Sequence, residues 1–319
     1  MLISVPALPL PDYLPLLAEH VDGRTTTQSG HRRDPQPTTV ASKPPSLDPG
    51  ALDIRRISTW EEYEACVALQ REVWGPEFTE CVPAAILMVT QRIGGVVAGA
   101  FDRDDQLIGF VFGMTGVERG HFVHWSDMLA VRTSARGLGI GRQLKLFQRE
   151  AVRAVGVSTI YWTFDPLVAR NAHLNLVTLG ADVVEYVPDM YGHETTSVLH
   201  QGLGTDRFIV AWHVGDGARS RPRTETPAAQ CAGLPALNAM PAIADGTPAV
   251  RITVPLHIDQ VQRHSLTVAA RWRSDTQRAF LWCVEHGYRV TGFYRDEPSE
   301  TAGYILSSAA TASHDSSPR

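Results

Sequence analysis

Apolar residues return along this chain with two periods, and the places where one gives way to the other mark out its elements. Thr59 followed by Glu62 has the spacing of a capping box and predicts a helix running to about Trp74. Pro83 opens a second helix that reaches Ile93. Residues 54–57, 96–101, 107–114 and 122–131 are apolar or alternating runs that predict strands, with a polar turn at 102–106. From about Gln143 the period lengthens, placing Leu144, Phe147, Ala151 and Val155 on one helix face until Gly156 stops it. Residues 159–164 form a β-branched and aromatic strand closed by Asp165-Pro166. A helix from Ala169 ends at Leu179-Gly180, and 182–187 and 208–214 are strands. The order over residues 52–215 reads βααββββαβαββ, with at most one strand miscounted. That predicts an α/β (more strictly α+β) domain with a mixed central sheet flanked by helices.

Outside this domain the pattern weakens. Residues 1–50 are rich in Pro, Thr, Ser and Gly and read as a disordered tail, with 14–20 as the one short helix. Residues 216–248 read as a flexible linker. A small αβ unit is expected at 250–307: a strand at 251–255, helix over 258–286 in one or two pieces, and strands at 288–293 and 304–306. Residues 308–319 form a second tail. The stretch 282–293 echoes 176–186, each a helix that ends at glycine and passes into a strand; a degenerate half-repeat and a generic αβ corner both fit. Such a short unit is expected to pack on the first domain or on another protomer rather than fold alone.

Composition narrows the classes. Hydrophobic content of 44%, charged content of 20% and a net charge of -5 describe a globular protein with no nucleic-acid signature. Of 29 lysines and arginines only Lys43 and Lys145 are lysines. The four cysteines, Cys66, Cys81, Cys231 and Cys283, are scattered and suggest neither disulfides nor a metal site. The longest apolar stretch, 84–101, is interrupted by Gln91-Arg92 and Gly94-Gly95, so no membrane span is expected. The N-terminus is broken by Pro6, Pro9 and Pro11 and has no basic leader, which points to a cytoplasmic protein.

The chemistry concentrates at 127–142, D-M-L-A-V-R-T-S-A-R-G-L-G-I-G-R. Strand, glycine-rich turn and helix start make an anion site, because glycines admit close approach and the first helical amides point outward. Arg136 and Arg142 add charge, so a pyrophosphate is the expected guest. A Walker loop is excluded by the missing Lys and Ser/Thr. A dinucleotide fingerprint is excluded because its third glycine would be Arg142 or Leu144. The spacing V-x-x-x-x-[QR]-x-x-G-x-[GA] is met by Val131, Arg136, Gly139 and Gly141.

That spacing, with the element order, resembles the acetyl-CoA motif of the GNAT acyltransferases. The resemblance implies that the amides of Gly137, Leu138, Gly139, Ile140, Gly141 and Arg142 hold the pyrophosphate of coenzyme A. It also implies that the strand before the turn splays from the next parallel strand, that pantetheine fills the gap, and that a backbone N–H near Leu129, Ala130 or Val131 meets the thioester carbonyl. Phrases at 161–172 (Y-W-T-F-D-P-L-V-A-R-N-A), 179–181, 191–192 and 205–207 are similar to one subgroup that carries a C-terminal extension and includes amino-acid N-acyltransferases. The tyrosine that many members place four residues before the helix-ending glycine is replaced here by Leu176.

Acyl transfer to an amine needs a base, a polarised carbonyl and stabilisation of the leaving thiolate. Alternation puts Asp127 on the strand face of Trp125 and Leu129 as the candidate base, with His124 on the other face as the weaker one. Tyr191 is the substitute hydroxyl, and Asn171 or Asn175 would bond pantetheine or sulfur. Arg207, Arg170 and Arg71 are candidate clamps for a substrate carboxylate. The expected protein transfers an acetyl or other short acyl group, such as succinyl, from CoA to a small-molecule amine. No metal, nucleic acid or membrane is expected, and a homodimer is compatible. The rivals are an inactive acyl-CoA-binding sensor, and an oxidoreductase with Asp165 as its ribose-binding acid.

Overall fold

A computed structural model describes residues 52–192, 203–217, 220–244 and 246–308. The expected short helix at 14–20 and nearly all of both expected tails fall outside them. The first part of the chain runs β1 (Asp53–Arg56), α1 (Trp60–Trp74), α2 (Ala84–Arg92), β2 (Val96–Phe101), β3 (Leu107–Glu118), β4 (His121–Val131), α3 (Ile140–Arg153), β5 (Thr159–Phe164), α4 (Ala169–Ala172), β6 (Asp182–Val187) and β7 (Arg207–His213). Three strands, not four, separate α2 from α3. The capping box is present, with Thr59 accepting from the Glu62 amide while the Glu62 carboxylate returns to the Thr59 amide.

The seven strands form one sheet in the order β1-β2-β3-β4-β5-β7-β6. Every neighbouring pair is antiparallel except β4 and β5, which are parallel. This is the α/β class with a mixed central sheet flanked by helices that the sequence predicts. The β3–β4 hairpin is longer than expected because it turns at Arg119-Gly120, both with positive φ (49° and 81°), the geometry that suits the twist of a two-residue hairpin. The mixed polarity of the solvent-facing residues 115–118 hides that extension from a pattern reading.

Two apolar layers cover the sheet. Ile57, Tyr63, Leu69 and Leu87 pack with Phe110, Phe112, Met128 and Ala130 on one face. Ile140, Leu144 and Val152 of α3 pack with Ile160, Trp162 and Phe164 on the other. A fully buried aliphatic side chain of this kind contributes about 1.5–3 kcal/mol. The expected face of α3 is rotated. Ile140, Leu144, Lys145, Gln148 and Val152 are buried while Val155 lies beyond the helix and is exposed, so the buried face carries a lysine and a glutamine.

The second half forms α5 (Ala228–Cys231), β8 (Ala249–Pro255), α6 (Ile258–His264), α7 (Leu266–Glu285), β9 (Tyr288–Asp296) and β10 (Thr301–Ser308), with an antiparallel sheet β8-β10-β9. Its core is continuous with the α3 layer: Phe208 of the large sheet meets Phe280 and Tyr304 edge-on and Tyr186 meets Phe280 tilted, at 4.9–5.4 Å between centroids. The stretch expected as a flexible linker is tied to the segment before β6 and to the small sheet. The Arg223 amide donates to Val177 O at 2.8 Å and the Thr226 amide to Phe293 O at 3.1 Å, while the Asn238 side chain pairs both backbone groups of Thr253. Backbone bonds from 223 and 226 and side-chain bonds from Asn238 hold it, and composition carries no sign of them.

A buried charge cluster joins α7 to the large sheet. Arg273 lies 2.5 Å from Asp165 Oδ2, donates to Leu203 O at 2.8 Å and sits 3.7 Å from Asp206. Tyr186 Oη and Gln277 Nε2 donate to the two oxygens of Asp206. Removing one member of such a cluster leaves its partners charged in a poor solvent. Arg273→Met is expected to destabilise the protein by about 3–5 kcal/mol in chemical denaturation. Arg278→Met, at an exposed pair, should cost under about 1 kcal/mol. Equal midpoints for the two variants would remove the cluster from the stability of the fold.

Candidate active site

The site begins with an irregularity in β4. Phe112 pairs with Met128, but the next β3 residue, Gly113, pairs with Ser126. Asp127 is thus the extra residue of a β-bulge. A bulge bends its strand and shifts the phase of its side chains. Before it, His124 and Ser126 point to α3; after it, Leu129 and Val131 do, while Met128 and Ala130 join the α1–α2 layer. The expected sharing of one face by Asp127, Trp125 and Leu129 is therefore corrected. Asp127 keeps company with Trp125, whose indole donates to it, and Leu129 lies on the opposite face, 3.6 Å from where a Cβ on Gly141 would stand.

The bend separates β4 from β5. Their parallel pairing covers Val123–Thr159, His124–Ile160 and Trp125–Tyr161 and then stops. From Asp127 to Val131 the edge of β4 that faces β5 has no ladder partner among the described residues. The Arg132 amide donates to Ile108 O at 2.9 Å, so alternation turns the backbone groups of Ala130 and Met128 towards β3 and those of Leu129 and Val131 into the gap. Of the three candidates, Leu129 and Val131 offer backbone groups to the gap and Ala130 does not. Arg136 Nε reaches back to Val131 O at 3.3 Å.

The gap opens towards the glycine turn. Gly139 is the left-handed N-cap of α3 (φ 75°) and Gly137 has φ 84°, values that favour glycine. A Cβ on either would meet nothing within 4 Å among the described residues, so they leave the space above the turn open. No side chain caps α3, and the first intrahelical bond is from Gln143 to Gly139 O at 3.1 Å. Helix geometry leaves the amides of Ile140, Gly141 and Arg142 without an intrahelical acceptor, at the positive end of the helix dipole. Leu138 is half-buried beside them, and Arg142 is exposed. Burial lowers the pKa of Arg136, and so does the neighbouring Arg170, partly offset by Asp259. Arg170, expected as a carboxylate clamp, thus stands beside the anion turn.

The other expected residues divide between the two faces. On the α1–α2 face, the solvent-reached Asp127 carboxylate still has enough protein around it for desolvation to raise its pKa, against the pull of the Trp125 hydrogen bond. Tyr191 Oη lies 3.1 Å from Thr163 Oγ1 of β5, and the Arg207 guanidinium sits 5.2 Å from the Tyr191 ring centre. Arg207 is buried and donates to Asp206 O at 2.8 Å. Arg71 is exposed in the last turn of α1. Asp165 is held by Arg273 and by the Leu167 amide at 2.8 Å, which removes it as a ribose acceptor.

On the α3 face lies a polar cluster that the sequence reading does not assemble. His124 is fully buried, with Nδ1 3.0 Å from Thr115 Oγ1 and Nε2 3.0 Å from Gln148 Nε2. A Cβ on Gly113 would come within 2.3 Å of His124 Nε2, so that glycine makes the room. Lys145 Nζ lies 2.7 Å from Ser126 Oγ and 3.9 Å from the centre of the Trp162 ring. Asn175 Oδ1 accepts from Trp162 Nε1 at 3.2 Å, from a π-helical stretch (His173–Thr178) that continues α4. Asn175 therefore anchors Trp162, Asn171 is half-buried at the end of α4, and Leu176 is core. The one sequence signal for this cluster is the rarity of lysine.

No protein-family model matches the chain, and no curated protein does. Among solved structures it is similar to the ribosomal-protein-S18-alanine N-acetyltransferase from Escherichia coli, at 14% identity over 51% of this chain and 94% of that one, with a TM-score of 0.41. An aminoglycoside 6'-acetyltransferase type Ii matches at 19% identity over 54% of this chain and 99% of that one, with a TM-score of 0.40. A GNAT superfamily phosphinothricin acetyltransferase from Sinorhizobium meliloti, solved in complex with AcCoA, matches at 17% identity over 55% of this chain and 94% of that one, with a TM-score of 0.43.

Burial, with a smaller push from Lys145, lowers the His124 pKa from 6.5 to about 3. The depressed value means that stability from the neutral ring is complete above 6.5 and is lost as pH falls towards about 3. Between pH 6.5 and 5 this group alone should remove about 2 kcal/mol. The difference in denaturation free energy between wild type and His124→Gln is expected to shrink by that amount over the interval. A difference that stays constant with pH would contradict a buried neutral ring.

Proposed function

We propose that this chain is an acyl-CoA-dependent N-acyltransferase of the GNAT type, which moves an acetyl or succinyl group from CoA to the primary amine of a small molecule such as an amino acid. The observation that carries the reading is the bulge at Asp127, after which β4 parts from β5 and leads to a turn of open amides. A gap lined by backbone donors and ending at a helix N-terminus fits a long polar thioester with a pyrophosphate at its far end. The amides of residues 137–142, with Arg136, Arg142 and Arg170, would take the pyrophosphate. The outward backbone groups of Leu129 and Val131 would pair with pantetheine, and an N–H from Leu129 would polarise the carbonyl.

The acceptor then approaches from the α1–α2 face, where Asp127 takes a proton from the incoming ammonium. A carboxyl raised above its usual range suits that task near neutral pH. The free amine attacks the thioester carbonyl directly, the C–N bond forms and the C–S bond breaks. Tyr191 Oη, anchored by Thr163 and Arg207, is the hydroxyl assigned to hydrogen-bond the sulfur, since Leu176 is buried and carries none.

Calorimetric titration with acetyl-CoA, succinyl-CoA and NAD tests the reading: one or both thioesters should bind and NAD should not. Gly139→Asp should reduce thioester affinity at least tenfold. Asp is among the few residues that tolerate a left-handed backbone, so the fold should survive with a penalty of about 1 kcal/mol. Unchanged affinity would refute the assignment of the turn. With an accepted amine, Asp127→Asn should lower kcat by about 10²–10⁴-fold and Tyr191→Phe should lower kcat with little change in acyl-CoA affinity. Binding without CoA release in the presence of amines would favour the sensor reading that the Leu176 substitution raises.

A further inference from the structure

Lys145 is the one lysine among the described residues, in a chain that otherwise uses arginine for its cations. It is also one of the most completely buried large side chains, at 2% exposure. No carboxylate lies within ion-pair distance of it among the described residues, and burial drives its pKa well below the ordinary lysine value. Arginine cannot give up its proton in a protein, whereas a buried lysine can. An arginine-biased chain that keeps a lysine here keeps the cation that can exist as a free amine.

Its position gives that chemistry a use. The last β4–β5 pair is Trp125–Tyr161. The next residue of each strand, Ser126 and Trp162, supplies one of the two groups that enclose Lys145 Nζ. Nζ therefore sits beneath the vertex of the gap, on the face opposite Asp127 and Tyr191. The groups facing it are Ser126 and the neutral His124 from β4, Trp162 from β5, and Gln148 from its own helix. Gln148 Oε1 is buried with no hydrogen-bond partner among the described residues. It is an acceptor three residues along the same helix face, suited to an ammonium that forms and discharges.

Resting on the acyltransferase reading, we propose that Lys145 carries a proton from the attacking nitrogen to the CoA sulfur. An alkylammonium loses two protons in becoming an amide. Asp127 takes the first, before attack. After the C–N bond forms, the second passes through the Ser126 hydroxyl to Nζ, giving an ammonium. The C–S bond breaks, its electron pair stays on sulfur, and Nζ returns the proton to the thiolate. Protons balance, and Lys145 ends as it began. Tyr191 stabilises the thiolate from the other face, and Lys145 supplies the proton for which Leu176 has no group.

Lys43→Arg leaves Lys145 as the only lysine of the 319-residue sequence, so one ¹³Cε-lysine NMR resonance reports its protonation. Its pH titration is followed with no ligand, with CoA and with desulfo-CoA, which lacks the sulfur. The free protein should show a midpoint well below the ordinary lysine range. CoA should move that midpoint, because its sulfur lies against Nζ and its thiol can donate to the free amine, and desulfo-CoA should not. If both ligands bind by calorimetry but give the same midpoint, the proton-carrier role is overturned and the acyltransferase reading stands. If neither binds, both fall. An ordinary lysine midpoint in the free protein would also overturn the proposal, since a cation fixed in the core for structure alone has no proton to carry.

Discussion

Parallel strands stay paired only while both keep an unbroken alternation, and one inserted residue in β4 ends that condition. Asp127 has no partner on β3, the strand bends there, and the β4–β5 ladder stops two residues earlier at Trp125. Everything attributed to the site follows from that break. The backbone groups of Leu129 and Val131 are left facing a gap. The turn at 137–139 stands at its mouth, and the side chains at its vertex fall on both faces of the sheet. A strand without the bulge would close the gap by ordinary pairing and carry Asp127 into the ladder.

A break in a sheet needs support on both sides. Phe110, Phe112, Met128 and Ala130 hold the β3–β4 side against α1 and α2. The β5 side is held by the second half of the chain: Arg273 of α7 grips Asp165 at the end of β5, and Tyr304 Oη donates to Pro166 O at 2.7 Å. The C-terminal sheet therefore acts as a brace for the strand that forms the far wall of the gap. Asp206, which receives Tyr186 and Gln277, ties the same cluster to β7 and so to Arg207 and Tyr191.

Much of this was legible in residue order. Thr59 and Glu62, the glycines at 137–141 and the stop at Gly180 act through local backbone chemistry, and local chemistry is what a sequence displays. The bulge was not legible, because Ser126, Asp127 and Met128 read as plain alternation and the extra residue is defined only by its partner strand. The rotated face of α3 was missed for a similar reason. Lys145 and Gln148 look like solvent-facing residues until Ser126, His124 and Trp162 are seen opposite them. The surroundings of Arg170 and Arg207, both expected as carboxylate clamps, were not legible, because the residues beside them, Arg136 in one case and Tyr191 in the other, are distant in sequence. The stretch at 220–244 read as a linker because its anchors, the backbone of 223 and 226 and the side chain of Asn238, find their partners far away in sequence.

The claim on which the rest depends is that a CoA thioester lies between β4 and β5 with its pyrophosphate on the turn. Residue-resolved amide hydrogen exchange with and without saturating acetyl-CoA tests it most directly. Exchange should slow at Leu129, at Val131 and across residues 137–142, while Ala130 and Met128, already turned to β3, should change little. Protection confined to other parts of the chain, or none at all, would contradict the account.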